Sequence, residues 1–333
     1  MGVALRDLAA DCRETVDLDA LSGIAAIDAH NALYQFLSII RQPDGTPLMS
    51  ADGQITSHLT GLLFRTANLV EKGLRPVYVF DGTPPTFKQE TIDQRREVRT
   101  RAGNAWKEAL RVGDIAEAYK QASASARVDA SIIGTAQELL TLLGIPWVQA
   151  PSEGEAQAAY MARKGSVRFA VSQDYDSLLF GSPVLVRNLT VSGRRKMRGR
   201  TITVSPERIV LDAFLDCLGI TREGLVEIGI LVGTDYHPGI KGVGGKTALK
   251  LVRGGEFESV IAERLPEFDP APIKEFFLNP PVSDDYHLAW SPPDTAGVIE
   301  MLSGRFDFSP ERVEGALEKF SVKARQKTLD QWF

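Results

Sequence analysis

Short apolar runs rich in Val, Ile and Ala alternate with longer segments of helical spacing, and acids stand where the runs stop. GIAAI meets Asp28, PVYVF meets Asp81, IPWVQAPS meets Glu153 and Glu155, and VRFAVSQ meets Asp174 and Asp176. Runs of this composition bounded by Gly or Pro predict buried strands of a parallel sheet. Residues 1–83 predict helix, strand, helix, strand. The turn Pro43-Asp44-Gly45 interrupts them, and the helix TSHLTGLLFRTANLVEKG ends at Gly73. Residues 84–135 are charged, poor in strand signals and broken by Gly103 and Gly113. They predict a helical insertion standing off the core, partly disordered without ligand. Strand and helix alternate again over 136–190. The basic stretch 192–200, between VLVRNLTV and TITV, predicts a hairpin. From 205 onward the pattern is helical, with loops at Pro280-Pro281 and Pro292-Pro293 and a last helix over 309–320. The expected class is α/β, a mostly parallel central sheet with flanking helices.

Composition narrows the setting. The chain has 333 residues, 44% apolar and 24% charged, ordinary for a soluble globular protein. Asp7 and Asp11 interrupt the first segment and no long apolar run follows, so neither a signal peptide nor a membrane span is expected. Cys12 and Cys217 are too few and too far apart to suggest a disulfide framework or a zinc site. A reducing, cytoplasmic setting follows, and Asn188-Leu189-Thr190 is then a chance glycosylation pattern.

The net charge of −5 does not suggest a nucleic-acid binder, but its distribution does. Residues 187–200 hold Arg187, Arg194, Arg195, Lys196, Arg198 and Arg200 with no acid among them. Residues 88–107 hold Lys88, Arg95, Arg96, Arg99, Arg101 and Lys107 against three acids. Basic patches beside an acidic centre suit a polyanion held next to bound cations. Either patch alone reads equally well as a solvated surface.

Acids at the carboxyl ends of parallel strands converge on the edge where α/β proteins bind ligands. Asp235, which follows the helical LVEIGILVGT, brings the set to seven carboxylates. They cannot share one cleft without positive charge, and hard divalent cations suit an oxygen-only set. Mg²⁺ or Mn²⁺, in two-metal phosphodiester chemistry, is the expectation. Each acid also has a plain structural use. Ser152 and Glu155 form a capping box, the better choice for that motif alone; Asp174 and Asp176 suit a turn; Asp28 and Asp81 suit strand-end caps. The set outweighs its members.

Lys241-Gly242-Val243-Gly244, followed by Gly245-Lys246-Thr247, has the form of a helix-hairpin-helix turn whose N–H groups approach a phosphate. A P-loop is rejected, because its spacing needs Gly where Ile240 stands. In the last eight residues, Gln326, Leu329, Trp332 and Phe333 suit insertion into a pocket on another protein, or packing on the chain's own core. His30, His58, His237 and His287 show no ligand spacing and receive no function.

Taken together, Met1-Gly2-Val3, IDAHNALYQFL, PVYVFDGTPPTFK, PSEGEAQAAYMA, SQDYDSLLFG, ILVGTDYHPGIKGVG and QKTLDQWF resemble the flap structure-specific 5′-nucleases, in the short archaeal-type form. The resemblance implies a PIN-like nuclease core carrying a helical arch and a helix-two-turn-helix element. The implied divisions are core at 1–83 and 136–220, arch at 84–135, duplex-binding element at 221–256, helical region at 257–325 and clamp motif at 326–333.

By the same resemblance, Asp28, Asp81, Glu153, Glu155, Asp174, Asp176 and Asp235 hold two Mg²⁺ ions, with Mn²⁺ as an alternative. Lys88 and Arg95, seven apart and so about two helical turns along one face, reach the scissile phosphate. Tyr34 stacks a base near the cut, and Gly2 runs beside the active site. Gly242, Val243, Gly244 and Lys246 bind duplex backbone, with K⁺ a further ion there. Gln326, Leu329, Trp332 and Phe333 bind a sliding clamp of the proliferating-cell nuclear antigen type.

Thr247 departs from the basic residue common at its position, GTDYHPGIKG is a residue shorter than in some relatives, and Phe333 puts a terminal carboxylate beside the clamp anchor. The expected activity is metal-dependent cleavage of 5′ flaps near a single/double-strand junction, with 5′–3′ exonuclease activity, in replication and repair. A monomer without membrane attachment is expected. The alternatives are a metal-dependent RNase or exonuclease, and a non-catalytic DNA or clamp adaptor on the same fold.

Overall fold

The computed structural model describes residues 3–191, 193–197 and 200–326. The N-terminal residues, expected as a helix, form consecutive turns instead, with Leu5 O accepting from the N–H groups of Leu8 and Ala9. Val3, Leu5 and Leu8 are buried, so packing on the neighbouring core takes precedence over local helical spacing. The strand β1 (Glu14–Thr15) follows, then β2 (Gly23–Asp28), α1 (Ala29–Ile39), α2 (Ser57–Glu71) and β3 (Leu74–Phe80).

The insertion consists of α3 (Gln89–Val112) and α4 (Ile115–Ala124). Gly113 takes the left-handed conformation between them, and Asp114 caps α4 through Glu117 N–H. The expectation that this segment stands off the core is corrected for α4, which packs on α1, whereas α3 is exposed along most of its length. Tyr119 and Ser123 of α4 donate to Ile39 O and Ser38 O at 3.2 and 2.9 Å, and Ala118 and Ala122 let the helices approach.

After α5 (Ala130–Leu142) come β4 (Trp147–Gln149), α6 (Gly154–Arg163), β5 (Phe169–Val171), α7 (Asp176–Leu179) and β6 (Val184–Arg187). The expected hairpin is present as β7 (Gly193–Met197) paired antiparallel with β8 (Arg200–Val204), and β9 (Glu207–Val210) returns to the sheet. Helices α8 (Leu211–Leu218), α9 (Arg222–Val232), α10 (Gly245–Arg253), α11 (Phe257–Arg264), α12 (Ala271–Leu278), α13 (Thr295–Ile299) and α14 (Pro310–Gln326) complete the chain. The last helix runs beyond the expected 320.

The seven-stranded sheet has the order β1-β9-β6-β5-β2-β3-β4. From β6 to β4 all neighbours are parallel, and β9 and β1 add an antiparallel edge. Alternation explains why both faces are covered. Ile27, Tyr78 and Phe80 point to one core with Leu33, Phe36 and Leu62, while Ala26, Val77 and Val79 point to the other with Ala158 and Met161. A third apolar cluster joins the N-terminal residues to α8, α9 and α12. Burying one such Leu or Phe side chain is worth about 1.5–3 kcal/mol.

The cysteine expectation is also corrected: Cys12 is joined to Cys217, tying the N-terminal turns to α8. Among the described residues, no helix is long and apolar enough to cross a membrane.

Candidate active site

The parallel strands all end on one edge of the sheet, and the helices that follow begin there. Asp28 is both the last residue of β2 and the N-cap of α1, its Oδ1 accepting Asn31 N–H at 3.0 Å. Asp81 follows β3, and its Oδ1 accepts Gly154 N–H at 2.7 Å, so it caps a helix from the next crossover. Gly154 has to be glycine: a Cβ would stand 2.9 Å from that oxygen and 3.0 Å from Val79 O. Gly82 is equally confined, its Cβ position lying 2.1 Å from Ala150 O.

This arrangement replaces the expected capping box. The N-cap of α6 is Glu153 without a side-chain cap, and Asp81 meets the helix instead. Glu155 Oε1 accepts from Ser177 Oγ at 3.2 Å. Asp174 Oδ2 accepts from Asn31 Nδ2 at 3.3 Å, and Asp176 Oδ1 accepts Val3 N–H at 2.7 Å. Thus Asp28 and Asp81 are indeed caps, as their strand-end positions allow, and also line the cleft.

The cleft has a volume of about 440 Å³, and its lining includes Asp28, Asp81, Glu153, Glu155, Asp174 and Asp235. Asp176 is buried just behind, coupled electrostatically to Asp235 and Asp174. Two cations enter from the arch base. Lys88 Nζ lies 2.6 Å from Glu153 Oε2 and 3.9 Å from Asp235 Oδ2, and Arg95 pairs with Asp235. Lys88, Arg95 and Arg99 fall on one face of the arch helix at spacings of seven and four, and all three are half-buried beside the cleft. The Arg99 guanidinium lies 5.6 Å from the centre of the Tyr34 ring.

These two cations do not offset the acids. Burial, then Asp81, pushes Asp28 well above the usual carboxylate range, against the opposing Asn31 N–H. Burial, then Asp28 and Asp176, does the same to Glu155. Asp176 is pushed up to about 7 by burial and by Asp235. Glu153 is raised by burial despite Lys88. Burial disfavours the Lys88 charge, yet Glu153, Asp81 and Asp235 hold its ammonium above the ordinary lysine value. Surplus buried negative charge of this kind is what a hard divalent cation neutralises. Among the described residues, no three His, Cys, Asp or Glu side chains are already drawn into metal-site geometry. The all-oxygen donor set nonetheless fits Mg²⁺ or Mn²⁺ chemistry.

The remaining predicted residues lie elsewhere. Gly242 takes positive φ and Gly244 is the N-cap of α10, while Lys246 stands exposed in its first turn. A Cβ at Gly242 or Gly244 would meet nothing within 4 Å, so this backbone is open to a ligand. Gly2 and residues 327–333, with Leu329, Trp332 and Phe333, lie outside the described residues, as does the side chain of Gln326.

Tyr34 lines the cleft as expected, and six further lining residues carry no site assignment from the sequence: His30, Asn31, Gln35, Arg99, Val128 and Gln173. His30 Nδ1 accepts Asp81 N–H at 3.1 Å. For His30, Asn31 and Gln35 the signal was positional, since they sit on the first turns of the helix that Asp28 caps.

Comparison with known proteins agrees with this geometry. Residues 1–102 match the XPG N-terminal domain and residues 144–235 the XPG I-region. The chain is 76% identical to flap endonuclease 1 of Methanoculleus marisnigri over the full length of both. In structure it resembles flap endonuclease-1 from Methanococcus jannaschii, with a TM-score of 0.79 at 40% identity over 98% of this chain and 100% of that one. The catalytic core of Rad2 in complex with DNA substrate shares the fold, with a TM-score of 0.71 at 24% identity over 96% of this chain and 100% of that one. The chain belongs to the flap endonuclease family, metal-dependent, structure-specific nucleases that hydrolyse phosphodiester bonds.

Proposed function

We propose that this flap endonuclease cuts branched DNA at the base of a 5′ flap, with the acidic cleft as the place of cleavage. The observation that carries this is the meeting of strand-end carboxylates with Lys88 and Arg95 in one cleft. Asp28, Asp81, Glu153, Glu155, Asp174, Asp176 and Asp235 would hold two divalent cations, Mg²⁺ in the first instance and Mn²⁺ as a substitute. Bound there, such ions supply Lewis acidity toward the attacking water and the departing 3′ oxygen.

The chain's own contribution is positional and electrostatic. Lys88 and Arg95 sit at the arch base, where they meet the phosphate and offset charge as it develops. Tyr34, with Arg99 over its ring, offers a stacking face for a base beside the cut. The arch over 84–135 receives the single strand. The turn Gly242-Val243-Gly244, open at its two glycines with the Val243 side chain buried beneath, grips duplex backbone together with Lys246, with K⁺ as the ion of that element. Such contacts read shape and phosphate, not base sequence. Gln326, Leu329, Trp332 and Phe333 dock on a sliding clamp. The residue divisions given above follow the same assignments, and the work is done by a monomer in the cytoplasm, at the nucleoid.

Asp176→Ala tests the cleft. It is expected to abolish cleavage of a 5′ flap while leaving flap binding in EDTA within about twofold. Loss of binding as large as the loss of cleavage would instead make Asp176 a structural acid that only holds Val3.

A further inference from the structure

We propose that Asn31 is a positioning residue that locks Asp28 and Asp174 into one constellation through a one-way hydrogen-bond relay ending at Thr190. The proposal rests on the assignment of both acids as cation ligands. Asn31 touches both: its backbone N–H donates to Asp28 Oδ1 at 3.0 Å, and its Nδ2 donates to Asp174 Oδ2 at 3.3 Å. These acids come from the ends of neighbouring strands, β2 and β5; their ladder stops at the Ile27–Val171 pair, three residues before Asp174, so sheet pairing does not reach the Asp174 carboxylate.

The relay's direction follows from chemistry. A carboxylate only accepts, so the amide atom facing Asp174 is Nδ2. Asn31 Oδ1 must then face away as an acceptor, and Gln35 Nε2 donates to it. Gln35 Oε1 is left as an acceptor for the Thr190 hydroxyl at 3.0 Å. Each amide is held at both ends, and neither can flip without breaking two bonds. The far end is anchored, because Thr190 is only 3% exposed and lies in the turn Leu189–Val191 just before the basic hairpin. A second, shorter link runs from Asp174 N–H to Ser172 Oγ at 3.1 Å, and from Ser172 Oγ to Asp28 Oδ2 at 3.4 Å. Asp174 is therefore held by its side chain and its backbone, and each path leads back to Asp28. Groups that orient metal ligands in this way typically change metal affinity about 10–100-fold when removed.

The test is Mn²⁺ binding by calorimetry to the full chain without DNA, alongside flap affinity in EDTA and the melting temperature. Asn31→Leu keeps the backbone cap on Asp28 but removes the amide, and should weaken Mn²⁺ binding about 10-fold or more. Thr190→Val, outside the cleft lining but one hydrogen bond behind it, should weaken it a few-fold in the same direction, and Thr190→Ser should restore it. Flap affinity in EDTA should stay within about twofold throughout. Unchanged Mn²⁺ binding in Asn31→Leu would overturn the relay, as would parallel losses in flap affinity and melting temperature. Wild-type Mn²⁺ binding in Asp174→Asn would overturn the ligand assignment beneath it, a separate failure.

Discussion

Asp81 accepts the backbone N–H of Gly154 at 2.7 Å across 73 residues of chain. One carboxylate thus fixes the start of α6 to the end of β3, and with it the two acids Glu153 and Glu155. Asp81→Asn keeps an acceptor for that N–H while removing charge from the cleft. It is expected to fold, with a melting temperature at or above wild type in EDTA, and to lose flap cleavage by about 100-fold or more. Gly154→Ala should lose both: the new Cβ overpacks against Asp81 Oδ1 and Val79 O, costing about 1–3 kcal/mol of stability and lowering cleavage with it. Urea titrations of the two variants, read beside single-turnover rates, check the pair. An unstable Asp81→Asn with normal cleavage would contradict the assignment.

Phe87 joins the arch to the cleft. Its ring meets Tyr236 and Phe276 edge-on, each at 5.3 Å between centroids. In the chain Phe87 is followed by Lys88, and Tyr236 is preceded by Asp235. Phe87→Ala should cost about 1–3 kcal/mol, below the usual value for a core Phe because the side chain is only half-buried. Single-turnover cleavage should fall about 10-fold more than flap affinity, since Lys88 loses its support. Equal losses in rate and affinity would make Phe87 a packing residue only.

His58 sets a pH dependence unconnected with cleavage. It is 1% exposed, its Nε2 lies 2.8 Å from Thr135 Oγ1, and its Nδ1 is buried without a partner. Burial lowers its pKa to about 4, from 6.5. The unfolded chain therefore binds this proton at higher pH than the folded one does. Its contribution is present above pH 6.5 and declines as pH falls toward 4, by about 3 kcal/mol in all. His58→Leu should be less stable than wild type at neutral pH but should show a flatter curve across that window. Urea unfolding at several pH values measures the difference, and parallel curves would refute it.

Lys246 is exposed at the start of α10 beside the open Gly242–Gly244 backbone. If it contacts a phosphate, Lys246→Ala weakens binding to flap and plain duplex alike and lowers the salt slope by about 1. Affinity measured at several salt concentrations tests this. An unchanged slope would move duplex binding away from this turn.

The sheet was legible because its strands are short, apolar and closed by acids, and those same acids made the cleft visible. What was not legible depends on tertiary proximity. No local pattern announces that Asp81 caps a helix beginning 73 residues later, so Ser152 and Glu155 looked like a capping box. The first segment has helical spacing, but Val3, Leu5 and Leu8 are each drawn into a core built from later helices. Cys12 and Cys217 meet for the same reason, 205 residues apart. Asn31 and Gln35 are ordinary helix residues by sequence; only the arrival of Asp174 and Thr190 gives them a task. The arch read as detached because α3 is highly charged, whereas the small residues of α4 that press it onto α1 carry little signal.

The most direct measurement is cleavage of a 5′-labelled duplex bearing a 5′ flap and a one-nucleotide 3′ flap, with and without Mg²⁺. A single product cut just inside the junction, formed only with Mg²⁺, is the expected result. Metal-independent cutting, or a ladder of products from unbranched single strands, would contradict the assignment of the acidic cleft to flap cleavage.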